Sequence, residues 1–240
     1  LDDILFGAPS LRAQAVLRTM NWIAAAVLLV LAAGVALQFH AAGQLDARFW
    51  EFFAWPTTWS FLAKGLLGTM ASAAMAAVIA LTLGLVLLVG RLARWRLLRW
   101  PSVAVIEFLR GTPTLLLIYV CFLVLPQVGI KLSTYWMLTL PIALSTAAVV
   151  AEVYRAGVLA VPRGQTEAAR SLGFNRYQTM RLVVLPQAMR TILPPVGNEC
   201  IAMLKDTSLV SIMAVPDIMQ RARSFVGTTY LYFETYTIVA

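Results

Sequence analysis

Residues 61–90 read FLAKGLLGTMASAAMAAVIALTLGLVLLVG, thirty positions with one ionisable side chain, Lys64. As an α-helix at about 1.5 Å per residue this run is about 45 Å long, more than the ~30 Å of hydrocarbon in a bilayer. Comparable apolar stretches lie at 22–39, 103–130, 135–160 and 191–215, and another begins at Tyr230. The expectation is an all-α, polytopic helical membrane protein with about six spanning helices. The eleven positions from Tyr230 onward make roughly 16 Å of helix, so the sixth span is expected to be truncated and to continue beyond Ala240.

The rest of the chain agrees. Of its 240 residues 60% are hydrophobic and 12% charged, against roughly 25% charged in soluble domains, and its mean hydropathy is +0.80. Nineteen basic residues exceed eleven acidic ones, but the cations sit in short clusters between apolar runs, the signature of a membrane protein and not of a nucleic-acid binder. Twelve cations fall on one side: Arg12 and Arg18 before the first span, Arg91, Arg94, Arg96 and Arg99 after the second, and Arg155, Arg163, Arg170, Arg176, Arg181 and Arg190 after the fourth. The other side has Arg48, Lys64, Lys131, Arg221 and Arg223. Because positive loops stay inside, the N-terminus and the 163–190 loop are expected to be cytoplasmic. A cleaved signal peptide competes with a retained anchor helix for residues 1–42, but no small-residue cleavage site ends the run. Cys121 and Cys200 make no disulfide framework and the lone His40 no histidine-based metal site, so these three read as filler.

Ionisable groups at membrane depth are costly and mark functional positions. In the fifth span Asn198, Glu199, Ala202, Lys205 and Asp206 fall within an arc of roughly 120°. Lys205 and Asp206 are adjacent and cannot pair face to face on a regular helix. They need other partners, or the helix unwinds over Lys205-Asp206-Thr207-Ser208. Such a stripe lines a cavity or gate, or packs on another helix as polar glue. In the fourth span Ser145, Ala148, Glu152 and Ala156 share a small-residue face, where Glu152 either contacts a substrate or pairs with Arg155 or another cation at that end. In the third, Glu107 and Arg110 read as a structural ion pair beside a kink at Pro113.

The only long polar segment, 163–190, reads as a short helix, a turn at Gly173, and a second helix stopped before Pro186. Ala168, Ala169 and Leu172 are expected on one face of the first helix, flanked by Glu167 and Arg170. That face either docks a partner or packs on the chain's own membrane helices.

Glu167-Ala168-Ala169, three residues, Gly173, nine residues, Val183, one residue, then Leu185-Pro186 resembles the cytoplasmic loop of ABC importer permeases, with Val183 where isoleucine is usual. Glu107-Phe108-Leu109-Arg110-Gly111-Thr112-Pro113, Leu185-Pro186-Gln187-Ala188, and Asn198 with Lys205-Asp206-Thr207-Ser208-Leu209 resemble the polar amino-acid branch of that family. The resemblance covers about residues 61–215 and leaves the first helix outside. It implies a type I importer transmembrane domain over 61–240, with an extra N-terminal segment, anchor helix and external loop over 1–60, in a prokaryotic cell membrane. It also implies that Glu167, Ala168, Ala169, Arg170, Leu172 and Gly173 couple to an ATPase.

Lys64, Lys131 and Lys205 are followed by Gly65, Leu132 and Asp206, so the chain has no phosphate-cradling Gly-x-x-x-x-Gly-Lys-Ser/Thr loop. ATP and Mg would therefore be held by a partner. The implied assembly contains two ATPase subunits, a second permease chain, identical or paralogous, and an extracytoplasmic binding protein that delivers an amino acid, with glutamate or glutamine the expected type. No catalytic residue, metal or cofactor is expected in this chain. Asn198, Lys205, Asp206, Thr207 and Ser208, with Glu152, are the candidates for the pathway or gate, since groups of both signs suit a dehydrated zwitterion. Two rivals are an ion-coupled secondary transporter, which predicts inverted repeats not seen here, and a membrane enzyme using Glu107, Glu152 or Asp206.

Overall fold

In a polytopic helical protein the hydrophobic effect places helices in the bilayer but does not pull them together there; close packing of small side chains does. The computed structural model describes residues 11–209 and 217–239, with side chains from residue 13 onward. Among these there is no strand. Contacts divide the described residues into one unit of 11–56 with 231–238, and another of 57–209 with 217–230.

In the first unit, α1 (Leu11–Ala41) has apolar residues on every side and is exposed from Gln14 onward except at the half-buried Ala25. Short helical turns follow at Ala47–Trp50 and Glu51–Ala54. Phe233 meets Phe39 at 4.5 Å and Trp50 at 6.5 Å between ring centroids, within this unit.

The second unit begins with α2 (Pro56–Leu92), 37 residues long. Its buried positions Gly65, Thr69, Ser72, Ala76, Ala80 and Gly84 recur at steps of three and four, giving a stripe of small side chains. A β-carbon on Gly84 would lie 2.9 Å from Val150 Cγ1 and 3.1 Å from the Ala147 carbonyl oxygen. The stripe thus lets α2 approach α5 (Thr134–Leu159) to backbone contact. Ala143, Ala147, Ala148, Val150 and Ala151 of α5 have no exposed surface, and α5 is the centre of a core that also takes Ala76, Ala80, Ile106, Ile118 and Met203.

Between α2 and α5 the expected single span at 103–130 is instead broken. α3 (Arg96–Gly111) and α4 (Thr114–Tyr119, continued by a π-turn at Val120–Val124) meet at 100°. A proline pushes the residue before it out of the helical region. Thr112 is extended at φ −98°, ψ 124°, and Pro113 at φ −57°, ψ 133°. The Pro113 carbonyl then accepts from the amides of Leu116 and Leu117 and starts a new helix in a new direction.

The polar loop opens with α6 (Arg163–Ser171). Its end is a Schellman closure: the Gly173 amide donates to Arg170 O and the Phe174 amide to Ala169 O, with Gly173 at φ +84°. Asn175 and Gln178 then form a reciprocal capping box on a one-turn helix, Arg176–Gln178. The expected stop before Pro186 does not occur. A π-segment, Thr179–Val184, leads directly into α7 (Leu185–Thr207). Pro186 has no N–H and its ring crowds the carbonyl four residues back, and the wider π-register accommodates both without ending the helix. Gln187 Nε2 supplies a donor to Val183 O at 2.9 Å and also reaches Gln165 Oε1 of α6 at 3.3 Å.

The expected end of the fifth span, 210–215, lies outside the described residues. The region before Tyr230, read as loop, contains α8 (Ile218–Thr229), capped by Asp217, which accepts from the Gln220 amide at 2.6 Å. α9 (Tyr232–Val239) has eight residues, about 12 Å of helix. Among the described residues, three helices are long and apolar enough to cross a membrane, or four if α3 and α4 count as one broken span. α7 has the length, but Arg190, Glu199, Lys205 and Asp206 lower its hydropathy.

Candidate functional site

The loop residues divide by rotation about α6. Ala169 is buried at 3% exposure, whereas Glu167, Ala168 and Arg170 are exposed and Leu172 is 78% exposed. The single face expected for Ala168, Ala169 and Leu172 is therefore two. Ala168 and Leu172 are four apart and share a side, while Ala169, 100° away, turns inward. One side of the loop helix packs on the chain itself, and the other presents a small residue, a large apolar one and two charges outward.

On α7, Asn198 and Lys205 are exposed, Glu199 and Asp206 are partly buried, and Thr207 is 1% exposed. The helix stays regular through Lys205-Asp206-Thr207 and ends at Ser208. The hydroxyls of Thr207 and Ser208 donate back to Leu204 O at 2.7 Å and Lys205 O at 2.6 Å. Among the described residues neither Lys205 nor Asp206 forms an ion pair.

Glu152 does. Its Oε1 lies 2.6 Å from Arg91 Nη1, and its Oε2 accepts from Arg155 Nε at 2.9 Å. Arg91 also reaches Glu107 Oε1 at 3.3 Å, and Arg110 lies 3.9 Å from Glu107. The expected Glu107–Arg110 pair is present, but the shorter contact of Glu107 is with Arg91. One guanidinium at the end of α2 thus joins α3 and α5; its contact with Glu152, 15% exposed, is largely screened from solvent, while that with Glu107 is half-exposed. Arg91 carried no local signal beyond its place in a basic cluster, because its partners lie 16 and 61 positions further on. Higher up the same face of α5, the Ser145 hydroxyl shares a 3.0 Å hydrogen bond with Thr114 at the start of α4.

The chain is 35% identical over 158 residues to the probable amino-acid ABC transporter permease protein YckA of Bacillus subtilis (strain 168), covering 66% of this chain and 70% of that protein. It is 34% identical to the probable glutamine ABC transporter permease protein GlnM of the same organism, covering 75% and 84%. Among solved structures, one described as an amino acid ABC transporter with histidines superposes with a TM-score of 0.71 at 35% identity, covering 75% of this chain and 84% of that one. Residues 87–240 match the family described as the binding-protein-dependent transport system inner membrane component. With that match spanning more than half of its length, the chain belongs to this family of membrane transport components.

Proposed function

We propose that this chain is the permease subunit of an ATP-driven importer and forms part of the membrane path of a polar amino acid of the glutamate or glutamine type. The observation that carries the reading is α6: an outward side of Glu167, Ala168, Arg170 and Leu172, held at a fixed angle by the Gly173 closure, in a chain without a nucleotide-binding lysine loop. Two ATPase subunits bind ATP and Mg and receive α6. A second permease chain, identical or paralogous, completes the path, and an extracytoplasmic binding protein loads it. The N-terminus and the 163–190 loop face the cytoplasm. Residues 61–240 are the transport domain, and 1–60 append an anchor helix and external loop.

The chain makes and breaks no covalent bond. Asn198, Lys205 and Asp206 offer donors and acceptors of both signs to a dehydrated zwitterion, and Thr207 and Ser208 close the same helix end. Glu152, already engaged by Arg91 and Arg155, closes the inner ends of α2, α3 and α5 and presents its charge to the path when those ends separate.

The test is co-purification of tagged permease in mild detergent, with an ATPase assay in the presence of binding proteins loaded with candidate amino acids. An ATPase stimulated by one loaded binding protein supports the reading. Permease that transports in liposomes on an ion gradient, with no ATPase recovered, overturns it. In the intact system Glu167→Lys is expected to abolish uptake with normal membrane insertion, and wild-type uptake would sink the coupling role.

A further inference from the structure

Beside α6 lies a cavity of about 570 Å³, within the roughly 300–1,000 Å³ typical of small-ligand sites. Four arginines line it, from three separated segments: Arg94 between α2 and α3, Arg163 and Arg170 at the two ends of α6, and Arg176 at the start of the next helical turn. No aspartate or glutamate lines it. Nor do these guanidiniums find a carboxylate elsewhere, since among the described residues none of the four forms an ion pair. Glu167, between Arg163 and Arg170 on α6, is exposed and among the described residues pairs with neither, and Glu107 and Glu152 are held by Arg91, Arg110 and Arg155.

Four like charges around one concavity repel each other, and an anion placed among them relieves that repulsion. Planar guanidinium groups fit the oxygens of a phosphate in pairs, better than ammonium groups do. We propose that this cavity is a binding site for a phosphate group, carried by an anionic phospholipid of the adjoining leaflet or by a soluble phosphate. Its other wall favours the lipid, because Leu159, Met180 and Val184 give apolar surface on which an acyl chain can begin. The neighbouring segment has the make-up of a membrane interface. Trp95, Leu97 and Trp100 are 75%, 84% and 69% exposed between Arg94, Arg96 and Arg99, and tryptophan with arginine gathers at headgroup depth. A second cavity is lined by Arg96, Arg99, Trp100 and Val103 of this segment. Assignment to the cytoplasmic leaflet rests on the orientation proposed above; the phosphate chemistry does not.

The experiment uses the purified permease–ATPase complex in maltoside detergent, offered phosphatidylglycerol, phosphatidylcholine or inorganic phosphate. Lipid retention is read by native mass spectrometry and phosphate binding by the shift in melting temperature. Wild type is expected to retain phosphatidylglycerol over phosphatidylcholine. Arg94→Gln and Arg176→Gln each weaken retention about fivefold and together weaken it further, while Arg94→Lys with Arg176→Lys, which keeps the charge but not the fork, retains part of it. Arg48→Gln, outside the cavity, changes nothing. Stabilisation by inorganic phosphate without lipid retention, lost in the same glutamine variants, supports the site with a soluble ligand. Wild type that binds neither probe, or binding indifferent to the glutamine variants, overturns the proposal. So does loss of the ATPase from the glutamine complex when wild type binds neither probe, since the arginines then serve an acidic surface of that partner. Elution and melting of the lysine variant report folding, and uptake by Glu167→Lys reports the coupling reading separately.

Discussion

Two residues carry contrasting electrostatic roles. Arg91 is 20% exposed and serves both Glu152 and Glu107. Replacing it with alanine leaves Glu152 one cation short in a largely screened position; Arg155 remains and Glu107 is half-exposed, so the cost is below that of breaking a fully buried pair. Arg91→Ala is expected to destabilise by about 1–2 kcal/mol, seen as a lower melting temperature in detergent. Arg91→Lys should recover part of the loss. Asp217, on the opposite side of the chain, is 1% exposed and caps α8. Burial pushes its carboxyl above the ordinary value, although backbone amides led by that of Gln220 pull the other way. A carboxyl raised in the folded state binds more protons than in the unfolded state between its two pKa values, so stability falls as pH rises through that window. Asp217→Asn, which keeps the cap but cannot ionise, is expected to flatten that fall, and a melting series from acid to neutral pH checks it.

At the scale of elements, prolines and glycines decide direction. Pro113 ends one helix and starts another at 100°, while Pro186 is carried through by a π-turn. The two differ because Thr112 is extended, whereas Val184 and Leu185 stay helical. Gly173 sits at φ +84°, and a β-branched residue there strains the turn that aims α6. Gly173→Val is expected to cost roughly 1–2 kcal/mol locally and to lower coupled ATPase activity more than it lowers the amount of inserted protein. Gly84 acts through distance. With 2.9 Å to Val150 Cγ1 for even a methyl group, Gly84→Leu forces α2 from α5 and should destabilise by about 1–3 kcal/mol or more. Gly34 has nothing within 4 Å of an added β-carbon, so Gly34→Leu on α1 should be tolerated. Yield of monodisperse protein separates the two.

For the whole molecule, function depends on surfaces this chain leaves uncovered. Leu172 is 78% exposed in the polar loop, as suits an apolar anchor for a partner. Leu172→Asp is expected to reduce ATPase recovered with tagged permease about tenfold or more, with insertion unchanged, and pull-down quantification reads it directly.

The sequence by itself determined what depends on local pattern. Long apolar runs dictated helices for a bilayer, the Glu167–Pro186 spacing announced the loop, and the cation distribution predicted an orientation. These are properties of a few consecutive residues against a uniform solvent. The fourth span and the polar side of α7 were legible for that reason, and so was a turn at Gly173. Tertiary structure decided what depends on residues far apart in the chain. It turned a kink at Pro113 into a break and carried the helix through Pro186. It buried Ala169 while exposing Leu172, and it made Arg91 the partner of carboxylates on two other helices. It also gathered Arg94, Arg163, Arg170 and Arg176 around one cavity. Helix periodicity fixes which residues share a side, but only packing against other helices decides which side is covered and which charges meet.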